Sequence, residues 1–211
     1  MYYTEQVINE LNRMNQTVSL LKQINNFLPE DIYQELKQHC LDCEFSNITN
    51  PIDGVTYPDI NIELSDNVKQ SVINAIEDVL GLDIAPNPLM FLRMSKLGTP
   101  CNHIHHHDGS HGTHSLMLYT NDNIEGGTSL VRHRETGCTY APESQSFVDY
   151  LIEDMNQVDK WVSQEKSDMK QNTAVIFDAN LFHRAEPVGG FGLTQDTARI
   201  VLTCFFSVES L

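Results

Sequence analysis

The segment 101–114, CNHIHHHDGSHGTH, concentrates side chains that bind transition metals. It holds six of the chain's nine histidines and a single carboxylate, Asp108. Imidazole and carboxylate are common ligands of iron and zinc in proteins. The first question is therefore which of these side chains share a metal ion and which are only polar surface.

An extended backbone would divide the cluster between two faces, because successive side chains of a strand point in opposite directions. His106 and Asp108 then lie on the same face and combine two ligand types at the shortest spacing. The other face carries His103, His105 and His107. We therefore predict that His106 and Asp108 bind a metal, and that the other clustered histidines surround the site or lie at the surface.

A third ligand should come from a distant strand, because a chelating cluster has to be closed by the fold. His183, in FDANLFHRAEPV, is an isolated histidine in a strand-like run near the end of the sequence. Two imidazoles and one carboxylate on one side of a metal, with other positions open, are typical of non-haem Fe(II) oxygenases. The sequence thus favours an iron site formed by His106, Asp108 and His183.

Arg199 opens the strand-like segment ARIVLTCFF, sixteen residues after His183. A guanidinium that faces into an apolar barrel needs an anionic partner, because an unpaired buried charge is costly. A dicarboxylate cosubstrate bound at the iron would supply one through a bidentate contact. Thr203 shares the strand face of Arg199 and would add a hydroxyl donor to the same pocket.

The second part of the chain has the texture of an antiparallel β structure. From Pro88 onward, short extended runs are bounded by Gly, Pro, Asn or Asp, which is typical of strands and turns. These runs are LMFLRMSKLG, HSLMLYTN, GGTSLVRHR, NTAVIFD, LFHRAEPV and ARIVLTCFFSV. We predict an antiparallel sandwich or barrel over residues 88–211, with a helical insertion at about 139–166.

The first part of the chain, residues 1–87, is mainly helical in its sequence patterns, with a short extended element whose end lies at the start of INNFLPEDIYQELKQHC. The predicted helices are residues 5–14, the run after Pro29 in INNFLPEDIYQELKQHC, and an amphipathic stretch between Ser65 and Gly81. The segment PIDGVTYPD, between the last two helices, reads as a loop. We therefore predict a single α+β domain over residues 1–211, in which the N-terminal helices buttress the barrel from outside.

Six short motifs occur in the order found in a known family. They are the H-x-D of residues 106–108, YTN, EGG, VIFD, HRAEPV and ARIVLT. From about Pro88 to Phe206 they resemble the iron(II)- and 2-oxoglutarate-dependent dioxygenases, in particular the prolyl-hydroxylase-like branch. The segment GGTSLVRHRETG differs from collagen-type prolyl hydroxylases and is more similar to a microbial or phage subgroup.

This resemblance implies a double-stranded β-helix, or jelly-roll, barrel. It implies that His106, Asp108 and His183 hold Fe(II). Tyr119 and Arg199 would hold the far carboxylate of 2-oxoglutarate. The implied reaction hydroxylates an unactivated C–H bond and converts 2-oxoglutarate to succinate and CO2, with ascorbate as the expected reductant. The substrate would be a peptide, with a prolyl-like target, or a small molecule.

Two further segments invite functional hypotheses. The basic cluster Arg132, His133 and Arg134 lies in an acidic chain, and we predict that it lines the substrate entrance because it would attract an anionic group. Trp161 and the acidic run LIEDM are predicted to form a solvated helix cap over the core, with a lid as the alternative.

Composition excludes several classes of partner. The net charge of −16 and the pI of about 4.7 argue against nucleic acid. No basic run and no apolar run of about 20 residues is present, so no membrane partner is expected. The N-terminal residues lack the features of a signal peptide and the five cysteines are an odd number, so we expect a cytoplasmic protein. Cys40 and Cys43 resemble half a zinc site, but helix packing is the favoured interpretation because no second pair follows.

Three other functions use the same residues, and the oligomeric state stays open. The histidines could form an exposed loop that binds metals adventitiously. A catalytically silent, cupin-like module could bind a metal or metabolite around His103 and His105. A cupin site, however, expects a Glu where Gly109 and Ser110 stand. A zinc hydrolase could use the same three ligands but has no use for Arg199 as a carboxylate anchor.

Overall fold

A computed structural model of the chain describes residues 19–50 and 54–209. The helix predicted over residues 5–14 lies outside the described residues. The elements are β1 (Leu21–Asn25), α1 (Glu30–Asp42), β2 (Ser46–Thr49), β3 (Thr56–Asn61), α2 (Asp66–Leu80), β4 (Leu89–Ser95), β5 (His114–Tyr119), β6 (Gly127–His133), α3 (Gln145–Asp154), β7 (Trp161–Lys166), β8 (Thr173–Asp178), β9 (His183–Glu186) and β10 (Arg199–Phe206).

The strands form two antiparallel sheets. Seven of them are ordered β1-β8-β5-β10-β4-β3-β2, and the other three are ordered β7-β6-β9. Neighbours in the larger sheet are mostly distant in sequence, as β5 and β10 illustrate, so the chain passes back and forth between the layers. This arrangement is a double-stranded β-helix, and the predicted α+β jelly-roll class is confirmed.

Strand β10 is buried along its whole length because both of its faces are covered. Its outward side chains join a core shared with the two N-terminal helices; they are Ile200, Leu202, Cys204 and Phe206. Its inward side chains line a cavity between the sheets; they are Arg199, Val201, Thr203 and Phe205. Because side chains alternate along a strand, every second residue of β10 packs in the core and the residues between them line the cavity.

Helices α1 and α2 take the positions that the sequence predicted. Ser65 accepts a hydrogen bond from the Val68 backbone N–H at the start of α2, and Gly81 ends the helix with φ of 68°. Cys40 in α1 is buried and Cys43 follows at the end of that helix, and both are free thiols. Both helices pack against the outer face of the larger sheet, as a buttress should.

The described part of the region before residue 88 contains three strands, where the sequence predicted one short extended element, and β1 agrees with that element. Strands β1, β2 and β3 all belong to the larger sheet. The segment PIDGVTYPD was predicted to be a loop because it contains turn residues, but Thr56–Asn61 is a strand in which Asp59 takes φ of 54°. Pairing with β2 and β4 overrides the local turn signals, and neither partner is evident from the segment itself.

The helical insertion predicted at 139–166 is correct only in part. Residues Gln145–Asp154 are helical, but Trp161–Lys166 is a strand paired with β6. Trp161 is 2% exposed and its indole N–H donates to the Asp154 carbonyl at 3.0 Å. The prediction of a solvated helix cap at Trp161 is therefore wrong, because the strand directs this side chain into a small core beneath α3.

No helix in the described part of the chain combines the length and the apolar character needed to cross a bilayer.

Candidate metal centre

The H-x-D segment is attached by its backbone to the start of β9. The His106 N–H donates to the His183 carbonyl at 3.1 Å, and the His183 N–H donates to the His106 carbonyl at 2.8 Å. The Asp108 N–H donates to the carbonyl of Ala179 at 2.7 Å. The rest of residues 101–113 forms turns and irregular backbone rather than a strand. These three bonds bring residues far apart in sequence into one site.

The side chains of His106, Asp108 and His183 converge, each offering a ligand atom within 4.8 Å of the others. The Nε2 atom of His183 lies 3.2 Å from Oδ2 of Asp108, and Nε2 of His106 lies 3.8 Å from Oδ1. Within the described residues, the buried Nε2 of His183 has no hydrogen-bond partner. A buried polar atom without a partner is costly, so this donor set fits a metal ion that would occupy the space between the three groups.

Protein contacts fix the orientation of two of these ligands. Nδ1 of His183 donates to the Leu181 carbonyl at 3.0 Å, which leaves Nε2 as the free lone pair facing the site. The hydroxyl of Ser115 donates to Oδ2 of Asp108 at 2.9 Å, and both residues are buried. Such outer contacts orient metal ligands and raise their affinity. Sequence reasoning missed Ser115, although its place on the inner face of β5 follows from strand alternation.

Electrostatics favour the ligand-competent forms of His106 and Asp108, whereas His183 has a raised pKa and would release its proton on metal binding. Burial, and next the charge of His183, lower the pKa of His106 to about 3, so this imidazole is neutral near pH 7. Burial alone would raise the pKa of Asp108, but His183, His106 and Ser115 together lower it. Burial by itself would lower the pKa of His183, but the Asp108 carboxylate outweighs this effect, so the pKa is raised. The centre thus offers a carboxylate anion and a neutral imidazole to a divalent cation.

Replacing Ser115 with Ala is expected to weaken metal binding about 10- to 100-fold, because the Asp108 carboxylate loses the donor that orients it. Competition between the protein and a chelator of known affinity measures this change for Fe(II) under anaerobic conditions and for Zn(II). Ser163→Ala, at an exposed position of β7, is the matched control and should bind the metal like the parent chain. Equal metal affinity for the Ser115 variant would contradict the prediction.

The neighbouring histidines have other contacts. His105 is buried, with Nδ1 at 2.8 Å from the Met155 carbonyl, Nε2 at 3.1 Å from Nη1 of Arg184, and its ring stacked on Trp161. Three more pack against aromatic rings: His107, His111 and His114. His103 lines the cavity, contrary to the simple alternation, because residues 101–105 are not extended.

A cavity of about 470 Å³ opens beside the three convergent side chains. This volume lies within the range of about 300–1,000 Å³ that is usual for small-molecule sites. Most of its wall is apolar, with contributions from Ile60, Leu89, Phe91, Met117, Val201 and Phe205. The polar groups that line it include the candidate metal ligands together with His103, Arg93, Thr128, Arg199 and Thr203.

Arg199 is 4% exposed and faces this cavity from the start of β10. One Nη atom donates to the Gly127 carbonyl at 3.3 Å, while the buried Nε has no partner in the described residues. Among residues 19–50 and 54–209, no carboxylate forms an ion pair with it. Burial lowers the pKa of Arg199 to about 10, which leaves it charged near neutral pH. Within this part of the chain, the charge of Arg199 is therefore not balanced by an acidic side chain.

Tyr119 is placed differently from the direct contact that the resemblance implied. It is fully buried, and its hydroxyl donates to Thr128 at 2.9 Å and lies 2.6 Å from the Ser167 hydroxyl. Thr128 lines the cavity, so Tyr119 reaches the pocket through Thr128. Thr203 does line the cavity, on the same face of β10 as Arg199.

The basic cluster Arg132, His133 and Arg134 does not line this cavity. His133 is fully buried on the outer side of β6, where its Nε2 lies 3.1 Å from Asp154. Arg134 is exposed beyond the end of the same strand. The entrance predicted here is therefore wrong, because none of the three residues reaches the cavity wall and His133 points to the opposite face of β6.

The chain is similar to several solved structures. SnoK, a non-heme alpha-ketoglutarate-dependent carbocyclase from nogalamycin biosynthesis, has a TM-score of 0.55 at 13% identity, covering 90% of this chain and 79% of that one. A prolyl hydroxylase from Trichoplax adhaerens, in complex with a hypoxia inducible factor peptide fragment, has a TM-score of 0.50 at 14% identity, covering 98% and 94%. AviO1 from Streptomyces viridochromogenes Tue57 has a TM-score of 0.50 at 14% identity, covering 88% and 89%.

These identities are low, so the similarity establishes the fold alone. The chain has the jelly-roll fold of the non-haem iron, 2-oxoglutarate-dependent oxygenases, and the resemblance seen in its motifs is confirmed at that level. No protein-family model and no curated protein sequence matches it.

Proposed function

We propose that this protein is an Fe(II)- and 2-oxoglutarate-dependent oxygenase that hydroxylates an unactivated C–H bond. One observation carries the proposal: His106, Asp108 and His183 converge at a cavity that also holds a buried guanidinium without an acidic partner in the described residues. Two imidazoles and one carboxylate suit Fe(II) with open positions. The unpaired Arg199 suits a cosubstrate with a second carboxylate.

In this proposal His106, Asp108 and His183 hold the iron. When bound, iron and 2-oxoglutarate would supply the oxidation of the C–H bond with dioxygen as the oxidant: one oxygen atom would enter the hydroxylated product, and the other would enter succinate as 2-oxoglutarate loses CO2. The chain's own residues provide positioning. The Leu181 carbonyl holds the proton of His183 on Nδ1, and Ser115 holds the Asp108 carboxylate, so both ligands present a lone pair to the same point.

The cosubstrate would lie along β10. Arg199 would bind its far carboxylate, and Thr203, on the same face, would add a hydroxyl donor. Tyr119 would act indirectly, by holding the Thr128 hydroxyl at the cavity wall. The apolar side chains of Val201 and Phe205 exclude water from this wall, which strengthens the charged contact.

The proposal also includes the type of reaction and the class of substrate. Hydroxylation is favoured over halogenation because Asp108 occupies the position that a halogenase leaves open for halide. A peptide with a prolyl-like target finds support in the peptide complex of the Trichoplax enzyme, and a small molecule finds support in the carbocyclase SnoK. The cavity of about 470 Å³ has room for either a side chain or a small molecule.

The test is release of labelled CO2 from 2-oxoglutarate carrying carbon-14 at C1. We expect turnover with Fe(II) and ascorbate, and none after chelation or with Zn(II). Binding of 2-oxoglutarate to the Zn(II)-loaded protein, measured by calorimetry, gives a second readout that needs no turnover. Metal-dependent hydrolysis without 2-oxoglutarate would identify the zinc hydrolase instead. Binding of metal or cosubstrate with no turnover would favour the catalytically silent module.

A further inference from the structure

Arg93 is a second cation on the wall of the cavity. It lies in β4, whose residues Met90, Leu92 and Met94 are buried in the core beneath the helices. The alternate residues face the cavity; they are Leu89, Phe91, Arg93 and Ser95. A guanidinium thus occupies the inner face of a strand whose neighbouring inward positions include two large apolar side chains. This placement demands a partner, because a partly desolvated charge is unfavourable on its own.

The described residues supply no anionic partner for Arg93. None of their carboxylates forms an ion pair with it. The guanidinium of Arg93 lies over the ring of Tyr57, whose centroid is 5.8 Å from the guanidinium carbon. Such a contact positions the side chain but leaves its N–H donors available. In a chain of net charge −16, a cavity lined by two arginines is a local reversal of charge that favours an anion.

Arg93 lies between the two parts of the proposed active site. It pairs in register with Val201, and Arg199 is two residues away on that same strand, so the two cations are diagonal neighbours on one face. Arg93 lines the same cavity as the candidate ligands His106 and Asp108, and its charge contributes, after burial, to lowering the pKa of Arg199. It is not needed for the metal, which has three ligands, and Arg199 already serves the cosubstrate.

We propose that Arg93 binds a carboxylate of the substrate and thereby selects substrates that combine an apolar body with one anionic group. The proposal rests on the function proposed above and adds the substrate class to it. One guanidinium matches one carboxylate through two parallel N–H···O contacts. The apolar body would pack against Phe91, Leu89 and Phe205, which hold the reacting carbon near the metal ligands.

Three probes of similar shape test this assignment: 4-phenylbutyrate, its uncharged amide, and 3-phenylpropyl phosphate. Calorimetric titrations use the Zn(II)-loaded protein, with and without saturating 2-oxoglutarate. We expect the carboxylate to bind more tightly than the amide, and Arg93→Gln to weaken it about 10- to 100-fold while leaving amide affinity unchanged. Arg93→Lys should retain part of the preference. Arg134→Gln, an exposed arginine outside the cavity, makes the same charge change and should have no effect.

Other results would overturn the inference. Equal affinities for carboxylate and amide, or a carboxylate affinity that Arg93→Gln leaves intact, would show that Arg93 does not select an anion. Preference for the phosphate would change the class of substrate. A loss of 2-oxoglutarate affinity in Arg93→Gln, with Arg199→Gln unaffected, would make Arg93 the cosubstrate anchor. Failure of the parent protein to bind 2-oxoglutarate counts against the proposed function only, because the titrations without cosubstrate still report on Arg93.

Discussion

Replacement of Asp108 with Asn is expected to abolish iron-dependent turnover of 2-oxoglutarate and to remove the stabilisation that the metal gives to the fold. Asn preserves the shape of the side chain and an oxygen that can accept the Ser115 hydrogen bond, but it removes the one negative charge of the donor set. Two neutral imidazoles then face a divalent cation without an anion to balance it. The effect should therefore appear as lost metal affinity rather than as lost folding.

Thermal unfolding with and without metal separates these outcomes. The parent chain should gain about 2.7 kcal/mol when free metal is at 100 times its dissociation constant, whereas Asp108→Asn should gain nothing at the same concentration. Asp168→Asn is the matched control, because this exposed carboxylate pairs with Lys170 and does not line the cavity. Parental turnover by Asp108→Asn, with metal still bound, would show that the carboxylate is not a ligand.

The parts of the site that could be predicted are those set by strand periodicity. Arg199 and Thr203 both face the cavity because they are separated by an even number of residues on one strand. His106 and Asp108 share a side for the same reason, although their segment is extended only briefly around the bridge to His183. The isolated position of His183 in a strand-like run was enough to select it as the third candidate metal ligand. Local pattern therefore brought the candidate ligands together before any tertiary information was available.

Two of the errors share one physical cause, which is pairing with another strand that the segment itself does not reveal. Thr56–Asn61 contains turn residues, and Trp161 follows a helical pattern, yet both segments are strands because a partner strand takes up their backbone hydrogen bonds. His133 was assigned to the entrance because it is basic in an acidic chain. The direction of its side chain depends on which face of β6 meets the other sheet, and composition does not reveal that face.

Tyr119 shows which part of a side chain's environment strand alternation does not predict. Alternation along β5 correctly predicts that it points between the sheets, but the fate of its hydroxyl depends on which groups of the opposing layer lie within reach. The hydroxyls of Thr128 and Ser167 lie within reach, and both form hydrogen bonds with the Tyr119 hydroxyl. Arg93 is a residue that sequence reasoning did not single out: apolar residues stand on both faces of LMFLRMS, so its position at the cavity and its lack of an acidic partner within the described residues are evident only from the structure.

Replacement of Arg199 with Gln is expected to lower the affinity for 2-oxoglutarate about 100-fold or more, while the unliganded protein becomes no less stable. The first effect follows because the far carboxylate loses a desolvated, charge-assisted contact, a loss worth about 2–5 kcal/mol. The second follows because a buried charge without an acidic partner in the described residues opposes folding, so its removal relieves that cost. A residue that costs stability in the free protein and contributes affinity in the complex is typical of a binding site.

A comparison of two ligands assigns this effect to the far carboxylate. 2-Oxopentanoate keeps the oxo acid that would face the metal and lacks the second carboxylate. The parent chain should prefer 2-oxoglutarate strongly, and Arg199→Gln should bind the two compounds about equally, with its affinity for 2-oxopentanoate unchanged. Calorimetry on the Zn(II)-loaded proteins measures both affinities, with Arg134→Gln as the control outside the cavity. If Arg199→Gln kept the parental preference, the far carboxylate would have to be held elsewhere, and the buried guanidinium of Arg199 would need a different anion.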